Sequence, residues 1–435
     1  MNRKERRKLE KETNILIKAV NIIKQYFPSL IKNSEKLTDT RNQSYIEYRM
    51  STITVTRLLG LLCGIKSMRE MTEEFNTEET IKNIGKILEV EIEELPHYDT
   101  INDVFEKIKV EELRKIQKYM VQRIIRSKMF DKYKYKGKYF QIVVDGTGLA
   151  TFKRRHCRNC LKKTYNKGEE EYSRYYHYVL EAKLVVGEIV ISIDSEFIEN
   201  EEENVEKQDC EIRAFYRMAK RIKKEYPKLG IIISGDALYA CEPVIKICKK
   251  NKWWYIIRAK EGRMKQLAEE IEGIEKAEGK EEKIKYWNNV KYGNIGKERE
   301  SNVIKYYEKK KEKTTEFMWI VSFEITENNK KEIIYYGKQR WKIENEGFNV
   351  QKNITFDIEH VYSENYNAMK VHYFFIQFAH IIRQLIEKGV KSVKELNMSI
   401  KWVSASILQT LTHMHIALTE YKKIQLRFEY KLIIQ

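Results

Sequence analysis

Two short apolar runs that each lead into an aspartate constrain the fold of this chain more than any other feature. QIVVDG brings Asp145 directly after a β-branched run, and IIISGD brings Asp236 after another. Runs of this length and composition, followed by glycine-containing turns, predict buried strands. Two such strands that deliver an aspartate at their carboxyl ends would place both carboxylates at one edge of a sheet.

An Asp-Gly pair also ends many strands without any chemical role, because both residues favour turns. Buried carboxylates, however, are costly to desolvate, and they repel one another unless cations lie between them. Two divalent ions, Mg²⁺ or Mn²⁺, bridged by such carboxylates can activate a water or a 3′-hydroxyl and stabilise the leaving oxygen. That chemistry usually needs a third acidic ligand.

The segment RWKIENEGFNVQKN supplies two candidates for the third acid, Glu344 and Glu346. On an α-helix these residues point about 200° apart, so only one of them can face the metals. Arg340, Glu344 and Gln351 share one stripe of such a helix, which favours Glu344 as a ligand flanked by phosphate-binding groups. From periodicity alone, an exposed helix with ordinary ion pairs is the favoured alternative.

The central part of the chain predicts a mixed α/β fold. One strand is predicted in YFQIVVDG, and two more in YVLEAKLVVGEIVISIDSEFI, joined by a tight turn at Gly187. Helix and strand then alternate as far as WWYIIRAK. This order predicts a ribonuclease-H-like mixed sheet flanked by helices.

Changes in pattern along the chain predict four segments. Residues 1–135 form an N-terminal helical domain, 136–259 the first part of a catalytic core, 260–335 a β-rich insertion, and 336–435 the helical completion of the core with C-terminal helices. The basic helices of the first segment fit DNA-end binding, and a supporting helical bundle is an equally good interpretation.

The charge of the chain favours a polyanionic partner. Lys and Arg number 82 and Asp and Glu 64, which gives a net charge of +18. Double-stranded DNA is the simplest such partner, although a generally lysine-rich proteome would give the same excess. The basic stretch MNRKERRKLEKE lacks the apolar segment of a signal peptide, and no apolar run approaches the ~20 residues that span a bilayer. We therefore expect a cytoplasmic protein without a membrane partner.

A second group of candidate ligands lies between residues 154 and 183. His156, Cys157, Cys160 and His177 could bind a structural Zn²⁺ tetrahedrally. The sequence favours reduced cysteines over zinc, because a complete site usually shows four well-spaced ligands. The neighbouring basic residues suit contacts with DNA phosphates in either case: Arg154, Arg155, Lys162 and Lys163.

Four stretches that carry these patterns resemble the DDE transposases of bacterial insertion sequences, in the superfamily named for insertion sequence four. The stretches are VVDGTGL, EKQDCEIRAFYR, SGDALYA and RWKIENEGFNVQK, in that order. The resemblance implies a ribonuclease-H-like core with a β-rich insertion before the catalytic glutamate. The long interval between Asp236 and Glu344 fits this arrangement.

The resemblance implies catalytic, metal-binding roles for Asp145, Asp236 and Glu344, with two Mg²⁺ or Mn²⁺ ions per active site. It implies a transposase that binds the terminal inverted repeats of its element, cleaves the DNA and transfers the freed strands, as a homodimer in the synaptic complex. The alternatives are a metal-dependent nuclease without strand transfer and a transposase-derived DNA-binding protein whose catalysis has lapsed. A bacterial transposase would act in the cytoplasm, at the nucleoid.

The family's helix signature of Tyr, Arg, Glu and Lys is partly present. Arg340 fits the signature, which implies that it contacts a DNA phosphate. The tyrosine position holds Gly337 and the lysine position holds Gln351. Tyr336 and Lys352, each one residue away, are therefore the expected substitutes for phosphate contact.

Overall fold

The structure is a computed structural model of the 435-residue chain. It describes residues 4–5, 9, 13–167, 170–260, 262, 264–278, 283–293, 299–310, 313–416 and 423–428.

Nine strands lie in this described part of the chain. They are β1 Tyr139–Phe152, β2 Leu161–Lys167, β3 Glu170–Val186, β4 Ile189–Ile198, β5 Gly230–Ser234, β6 Trp254–Ala259, β7 Ile284–Tyr292, β8 Arg299–Lys310 and β9 Lys313–Val321.

Helices precede, separate and follow the strands. They are α1 Ile15–Tyr26, α2 Leu30–Glu35, α3 Met50–Leu62, α4 Met68–Phe75, α5 Glu78–Leu88, α6 Tyr98–Lys107, α7 Val110–Arg126, α8 Glu211–Glu225, α9 Glu242–Asn251, α10 Lys265–Glu278, α11 Lys330–Lys338, α12 Tyr366–Gly389, α13 Lys391–Glu395 and α14 Ile400–His413. Two π-helical segments, Ile343–Phe348 and Val350–Ile354, lie between α11 and α12.

The strands form one mixed sheet in the order β2-β3-β1-β5-β6-β9-β8-β7, with β4 also paired to β3. The strands β1, β3 and β4 are antiparallel, whereas β1, β5 and β6 are parallel and are joined through helices. Gly187, at a φ of 64°, forms the predicted turn between β3 and β4, where glycine accepts a left-handed backbone without strain. This is the predicted ribonuclease-H-like mixed sheet flanked by helices, so the expected fold class is confirmed.

The chain between β6 and α11 extends the same sheet. After α10, strand β7 pairs with β8, β8 pairs with β9, and β9 returns antiparallel to β6. These strands, in which aromatic and β-branched residues alternate with polar ones, therefore extend the core sheet and do not form a separate sheet.

The N-terminal helices pack against α12, which is buried along most of its length. This helix contacts α1, α3, α6 and α7 as well as β4. Arg114 of α7 also enters a buried ion cluster on β4, where its Nη1 atom lies 3.0 Å from Asp194 Oδ1. This packing favours the supporting-bundle interpretation of the N-terminal helices, and DNA-end binding stays a prediction. None of the described helices is long and apolar enough to cross a membrane.

Gly337 of α11 lies against the indole of Trp319, and this contact leads to a stability prediction. A Cβ at position 337 would lie 2.6 Å from Trp319 Cε2, and Trp319 is only 2% exposed, so it has little room to move. We expect Gly337→Ala to lower the free energy of unfolding by about 1–3 kcal/mol, measured by urea denaturation.

Gly273→Ala is the matched control, because Gly273 also lies in a helix but a Cβ there would meet nothing within 4 Å. Helix propensity should make that variant more stable than the parent by about 0.5–1 kcal/mol. Equal effects of the two substitutions would contradict the packing argument at Gly337.

Candidate active site

The two predicted aspartates lie on neighbouring parallel strands. The last paired residues of β1 and β5 are Val143 and Ser234, and Asp145 and Asp236 each follow two residues later. Because parallel strands end at the same edge of a sheet, this register places both carboxylates at one edge. The charge of Asp236 acts on Asp145, as expected for groups that share a site.

Glu344 joins this edge through Arg340. The Arg340 Nη1 atom lies 3.4 Å from Asp145 Oδ2 and 3.9 Å from Glu344 Oε1, so one guanidinium contacts two of the three predicted acids. Glu346 lies near Glu387 of α12 instead. Burial raises the pKa of Glu387, and the charge of Glu346 adds to that rise. The structure therefore brings together Asp145, Asp236 and Glu344, with Arg340 beside them.

Backbone amides hold both aspartates. The Gly146 N–H donates to Asp145 Oδ1 at 3.0 Å, and the Leu238 N–H donates to Asp236 Oδ1 at 2.8 Å. A Cβ at position 146 would lie 2.4 Å from the Tyr178 ring, so only glycine fits at this position without a shift of that ring. These contacts hold one oxygen of each carboxylate, and the second oxygen of Asp145 contacts Arg340.

Glu344 lies in a π-helical turn rather than in the predicted α-helix. The N–H of Asn349 donates to the C=O of Glu344, five residues earlier, in the segment Ile343–Phe348. Such wide turns are rare and are frequent at functional sites. The altered turn changes the direction of every residue that follows it.

Gln351 consequently does not continue the predicted stripe of phosphate-binding groups. Its side chain is fully buried, and its amide nitrogen lies 2.9 Å from Gln377 Oε1 and 3.0 Å from His380 Nδ1. The prediction that Gln351 flanks the catalytic glutamate is wrong, because α-helical spacing does not hold across π-helical turns.

A buried ion pair lies behind the π-helical segment. Lys183 and Glu181 of β3 are both fully buried, with Nζ and Oε2 4.0 Å apart. The Lys183 ammonium donates to Gln351 Oε1 and Gln377 Oε1 at 3.4 Å and 3.2 Å, and it lies 5.2 Å from the centre of the Phe348 ring. Burial lowers the pKa of Lys183 to about 8, and the Glu181 charge opposes that shift. This pair anchors the segment that carries the third acid.

The position of Tyr336 does not favour its predicted phosphate contact. The ring is buried, and the hydroxyl donates to the C=O of Tyr133 at 3.1 Å. Gly337, at the family's tyrosine position, packs against Trp319 and leaves no space for a side chain there.

The other predicted phosphate contacts lie nearer to solvent. Lys352 Nζ lies 2.6 Å from Glu359 Oε1, so a phosphate would have to compete with that carboxylate. Arg154 is exposed in the loop between β1 and β2, and Arg155 lies over the Tyr175 ring at 5.1 Å. Contacts between these residues and DNA stay predictions.

Burial controls the protonation of Asp145. Desolvation raises the pKa of Asp145 to about 7, Arg340 opposes the shift, and the charges of Glu211, Glu344 and Asp236 add to it. A cation placed beside such a carboxyl group would lower its pKa and stabilise its charged form.

Glu211, the first residue of α8, is a fourth acid at this edge that the sequence reasoning missed. Its Oε2 atom accepts a hydrogen bond from the Tyr239 hydroxyl at 2.8 Å. Burial raises the pKa of Glu211, and the charge of Asp236 adds to the rise. A Cβ at Gly146 would lie 2.9 Å from the Glu211 carboxyl carbon, which places this acid directly beside β1. The sequence did offer one signal: Glu211 lies in EKQDCEIRAFYR, one of the stretches that carry the family resemblance. No residue of that stretch was predicted to have a role in the site.

Arg258 is a second cation, close enough to Arg340 for their charges to interact. Its guanidinium lies over the rings of Phe317 and Trp319 at 4.6 Å and 5.4 Å. Burial lowers the pKa of Arg258 to about 10; Glu316 opposes this effect and the charge of Arg340 adds to it. The site therefore has two neighbouring guanidinium groups, a suitable arrangement for phosphate oxygens.

The candidate zinc ligands are brought together in part. Ligand atoms of Cys157, Cys160 and His177 all lie within 4.8 Å of one another. His156 is not in this group, because its Nε2 atom lies 2.6 Å from the C=O of Glu364.

Comparison with known proteins gives two family matches. The model described as "Transposase DDE domain" matches residues 136–382, and the model described as "DDE_Tnp_1-associated" matches residues 33–120. No curated protein matches the chain. A cryo-EM structure of the piggyBac transposase synaptic complex with hairpin DNA aligns at a TM-score of 0.48 and 11% identity, covering 92% of this chain and 80% of that one. At this TM-score the alignment carries no argument about the present chain.

The raised pKa of Asp145 predicts that the metal-free protein loses stability as pH rises from about 4 to 7. In that range the folded protein keeps a proton on Asp145 that the unfolded chain has released, so the free energy of unfolding falls with pH. Asp145→Asn should raise the free energy of unfolding at pH 8 by up to about 4 kcal/mol, and far less at pH 4. Urea denaturation in the presence of a chelator measures both values.

Asp103→Asn is the control, because Asp103 is an exposed carboxylate on α6. As a surface substitution, it should change the free energy of unfolding by no more than about 0.5 kcal/mol. Parallel stability curves for Asp145→Asn and the parent would show that burial does not raise the pKa of Asp145.

Proposed function

This chain belongs to the transposase DDE domain family, and we propose that it is a DNA transposase that binds the terminal inverted repeats of its own insertion sequence. The observation that carries the proposal is the convergence of Asp145, Asp236 and Glu344 on one edge of the sheet, with Arg340 between two of them. The family match supports DNA cleavage and transposition as the reaction class. Cleavage at the element's ends and strand transfer into a target are the finer steps of the proposal.

The residues at this edge fit divalent metal ions. Carboxylate oxygens are the ligands that Mg²⁺ and Mn²⁺ prefer. Burial, together with the charges of Glu211, Glu344 and Asp236, raises the pKa of Asp145, so a nearby cation would stabilise its charged form. We propose that Asp145, Asp236 and Glu344 hold two such ions. When bound, the ions would activate the attacking oxygen and stabilise the leaving oxygen of a phosphodiester.

Arg340 would orient the phosphate that is cleaved. Its side chain is only 14% exposed and lies 4.8 Å over the Trp341 ring, so its guanidinium is already held in place. A planar, pre-positioned guanidinium can bind two phosphate oxygens at once. Arg258 would add a second positive charge on the same side of the site.

A cavity rich in lysine supports a polyanionic partner. It has a volume of about 610 Å³ and lies between the β3–β4 turn and α11. Its lysines are Lys283, Lys331, Lys338, Lys342, Lys388 and Lys394. We propose that this surface contacts the backbone of double-stranded DNA, since such contacts depend on charge rather than on sequence. Joining two element ends would need two copies of the chain, so we propose a homodimer in the synaptic complex, at the bacterial nucleoid.

Removing any one of the three acids should abolish catalysis but not end binding. Asp145→Asn, Asp236→Asn and Glu344→Gln each replace an anionic ligand with a neutral amide. We expect Mg²⁺-dependent cleavage and strand transfer to fall by at least about 10³-fold, because several kcal/mol of transition-state stabilisation is lost. Gel-shift affinity for the terminal repeats should change by only a few fold.

Glu346→Gln is the matched control, because Glu346 lies in the same π-helical segment but acts on Glu387 rather than on Asp145. It should keep most of the activity. Retained cleavage in Asp145→Asn would remove Asp145 from the mechanism.

Two assays distinguish the alternative functions. A joining assay with pre-cleaved ends tests strand transfer, and cleavage without joining would identify a nuclease. Mg²⁺-dependent nicking of supercoiled plasmid tests catalysis itself. End binding without nicking would identify a DNA-binding protein whose catalysis has lapsed.

We propose that Glu211 assists the metal site. It is held by the Tyr239 hydroxyl beside Asp145 and Asp236, so its charge adds to the field that the ions would meet. Glu211→Gln should lower cleavage by about 10–100-fold and raise the Mg²⁺ concentration needed for half-maximal rate, as loss of a supporting carboxylate does in other metal sites.

Glu211→Asp should partly restore the Mg²⁺ dependence, because it keeps the charge. The control is Glu206→Gln, which changes an exposed acid in the loop before α8. An unchanged Mg²⁺ dependence in Glu211→Gln would limit Glu211 to a structural role.

A further inference from the structure

Three candidate ligand atoms, two thiol sulfurs and one imidazole nitrogen, meet beyond Asp145 toward the carboxyl end of strand β1. The Sγ atoms of Cys157 and Cys160 are 3.8 Å apart. The Nε2 atom of His177 lies 3.5 Å from Cys157 Sγ and 3.6 Å from Cys160 Sγ. Cys160 and His177 are fully buried, and Cys157 is partly buried.

These distances match the edges of a zinc coordination tetrahedron. Zinc binds thiolate sulfur at about 2.3 Å and imidazole nitrogen at about 2.0–2.1 Å. Tetrahedral angles with those bond lengths separate two sulfurs by about 3.8 Å and a sulfur from a nitrogen by about 3.5–3.6 Å. The three atoms thus already occupy three corners of such a tetrahedron, without movement of any side chain.

A disulfide fits the same atoms less well. An S–S bond is about 2.05 Å long, so the two sulfurs would have to approach much more closely and His177 would lose its place between them. The shared contact of both sulfurs with one imidazole nitrogen is explained by a common metal ion. We propose that Cys157, Cys160 and His177 bind one structural Zn²⁺, a site independent of the proposed catalytic function.

His156 is the protein group that can complete this site. Its ring centre lies 6.1 Å from that of His177, with the two ring planes nearly perpendicular. Its Nε2 atom now contacts the C=O of Glu364, and rotation of the side chain would release that contact and free a ring nitrogen to bind the ion. We assign the fourth ligand to His156 on this basis.

The zinc ion would join two separate parts of the chain, and a ring contact links a third part to them. Cys157 and Cys160 lie in the loop between β1 and β2, and His177 lies on β3. The His177 ring stacks on Tyr366, the first residue of α12, with ring centres 3.9 Å apart. The loop also carries basic residues, namely Lys153, Arg154, Arg155 and Arg158. The metal would therefore fix the position of a basic loop relative to the sheet and α12.

The test uses the full-length protein, purified with zinc present and then exchanged into metal-free buffer. Elemental analysis should find about one zinc ion per chain, since structural sites of this type bind zinc tightly. Cys157→Ser, Cys160→Ser and His177→Ala should each lose the ion. Cys241→Ser is the matched control, because Cys241 lies at the start of α9 outside the cluster, and it should keep the ion.

Cobalt substitution separates this site from the acidic edge, which could also hold zinc. Co²⁺ bound to two thiolates gives sulfur-to-metal charge-transfer absorption, which carboxylate ligands do not give. We expect this absorption in the parent and in Asp145→Asn, and we expect it to disappear in Cys157→Ser. His156→Ala should keep the thiolate absorption but bind the metal about 10–100-fold more weakly; an unchanged affinity would overturn the assignment of His156.

Substituted variants can fail to fold, so the parent protein provides a second measurement. Removal of zinc by a chelator should lower its melting temperature, and added Zn²⁺ should restore it. Three results would overturn the proposal: a metal-free parent with all six thiols reduced, a Cys157–Cys160 disulfide in the purified protein, or zinc that is retained in Cys160→Ser and lost in Asp145→Asn.

Discussion

The burial of several acids at one edge of the sheet is the constraint on which the proposed active site depends. Asp145 lies near Asp236, Glu344 and Glu211; burial raises its pKa to about 7, Arg340 opposes the rise, and the charges of the three acids add to it. Two parallel strands fix Asp145 and Asp236 in register, and a backbone N–H holds one oxygen of each. Arg340 offsets part of the repulsion through Asp145 and Glu344. The folded sheet thus keeps several negative charges close together, and divalent cations bound between them would reduce their repulsion.

The third acid depends on a second buried charge system. Glu344 lies on a π-helical segment whose inner face contacts Lys183, and Lys183 in turn pairs with Glu181 on the strand next to β1. Both charges are fully buried, so loss of either partner would leave the other unpaired, at a cost of about 3–5 kcal/mol. Gln351 and Gln377 accept the hydrogen bonds of the buried ammonium. The pair thereby connects the core sheet, the π-helical segments and α12 behind the segment that carries Glu344.

Much of this arrangement could be predicted from the sequence, because short apolar runs and the residues that end them are local signals. The strands that lead to Asp145 and Asp236, the turn at Gly187 and the order of helices and strands follow from such signals. The choice of Glu344 over Glu346 agrees with the observed geometry, but α-helical spacing failed at Gln351, since a π-helical turn is set by tertiary packing. The burial of Tyr336 depends on aromatic neighbours that are distant in sequence. Glu211 gave no recognisable pattern, because one acid at the start of a basic amphipathic helix also suits an ordinary helix N-terminus.

Sequence spacing favoured reduced cysteines over zinc, and the strand pairing that brings the cysteines to His177 links the two proposed metal sites. His177 is distant from the Cys-x-x-Cys pair along the chain, so the three residues do not match a short zinc motif. The pairing of β1 with β3 brings them together: Ala150 lies opposite His177, just beyond a register shift that follows Gly148. On the same pair of strands, Asp145 lies opposite Glu181. A metal ion bound to His177 would therefore limit twisting of β1 beyond Asp145. The buried Lys183–Glu181 pair restrains the same two strands at Asp145 itself.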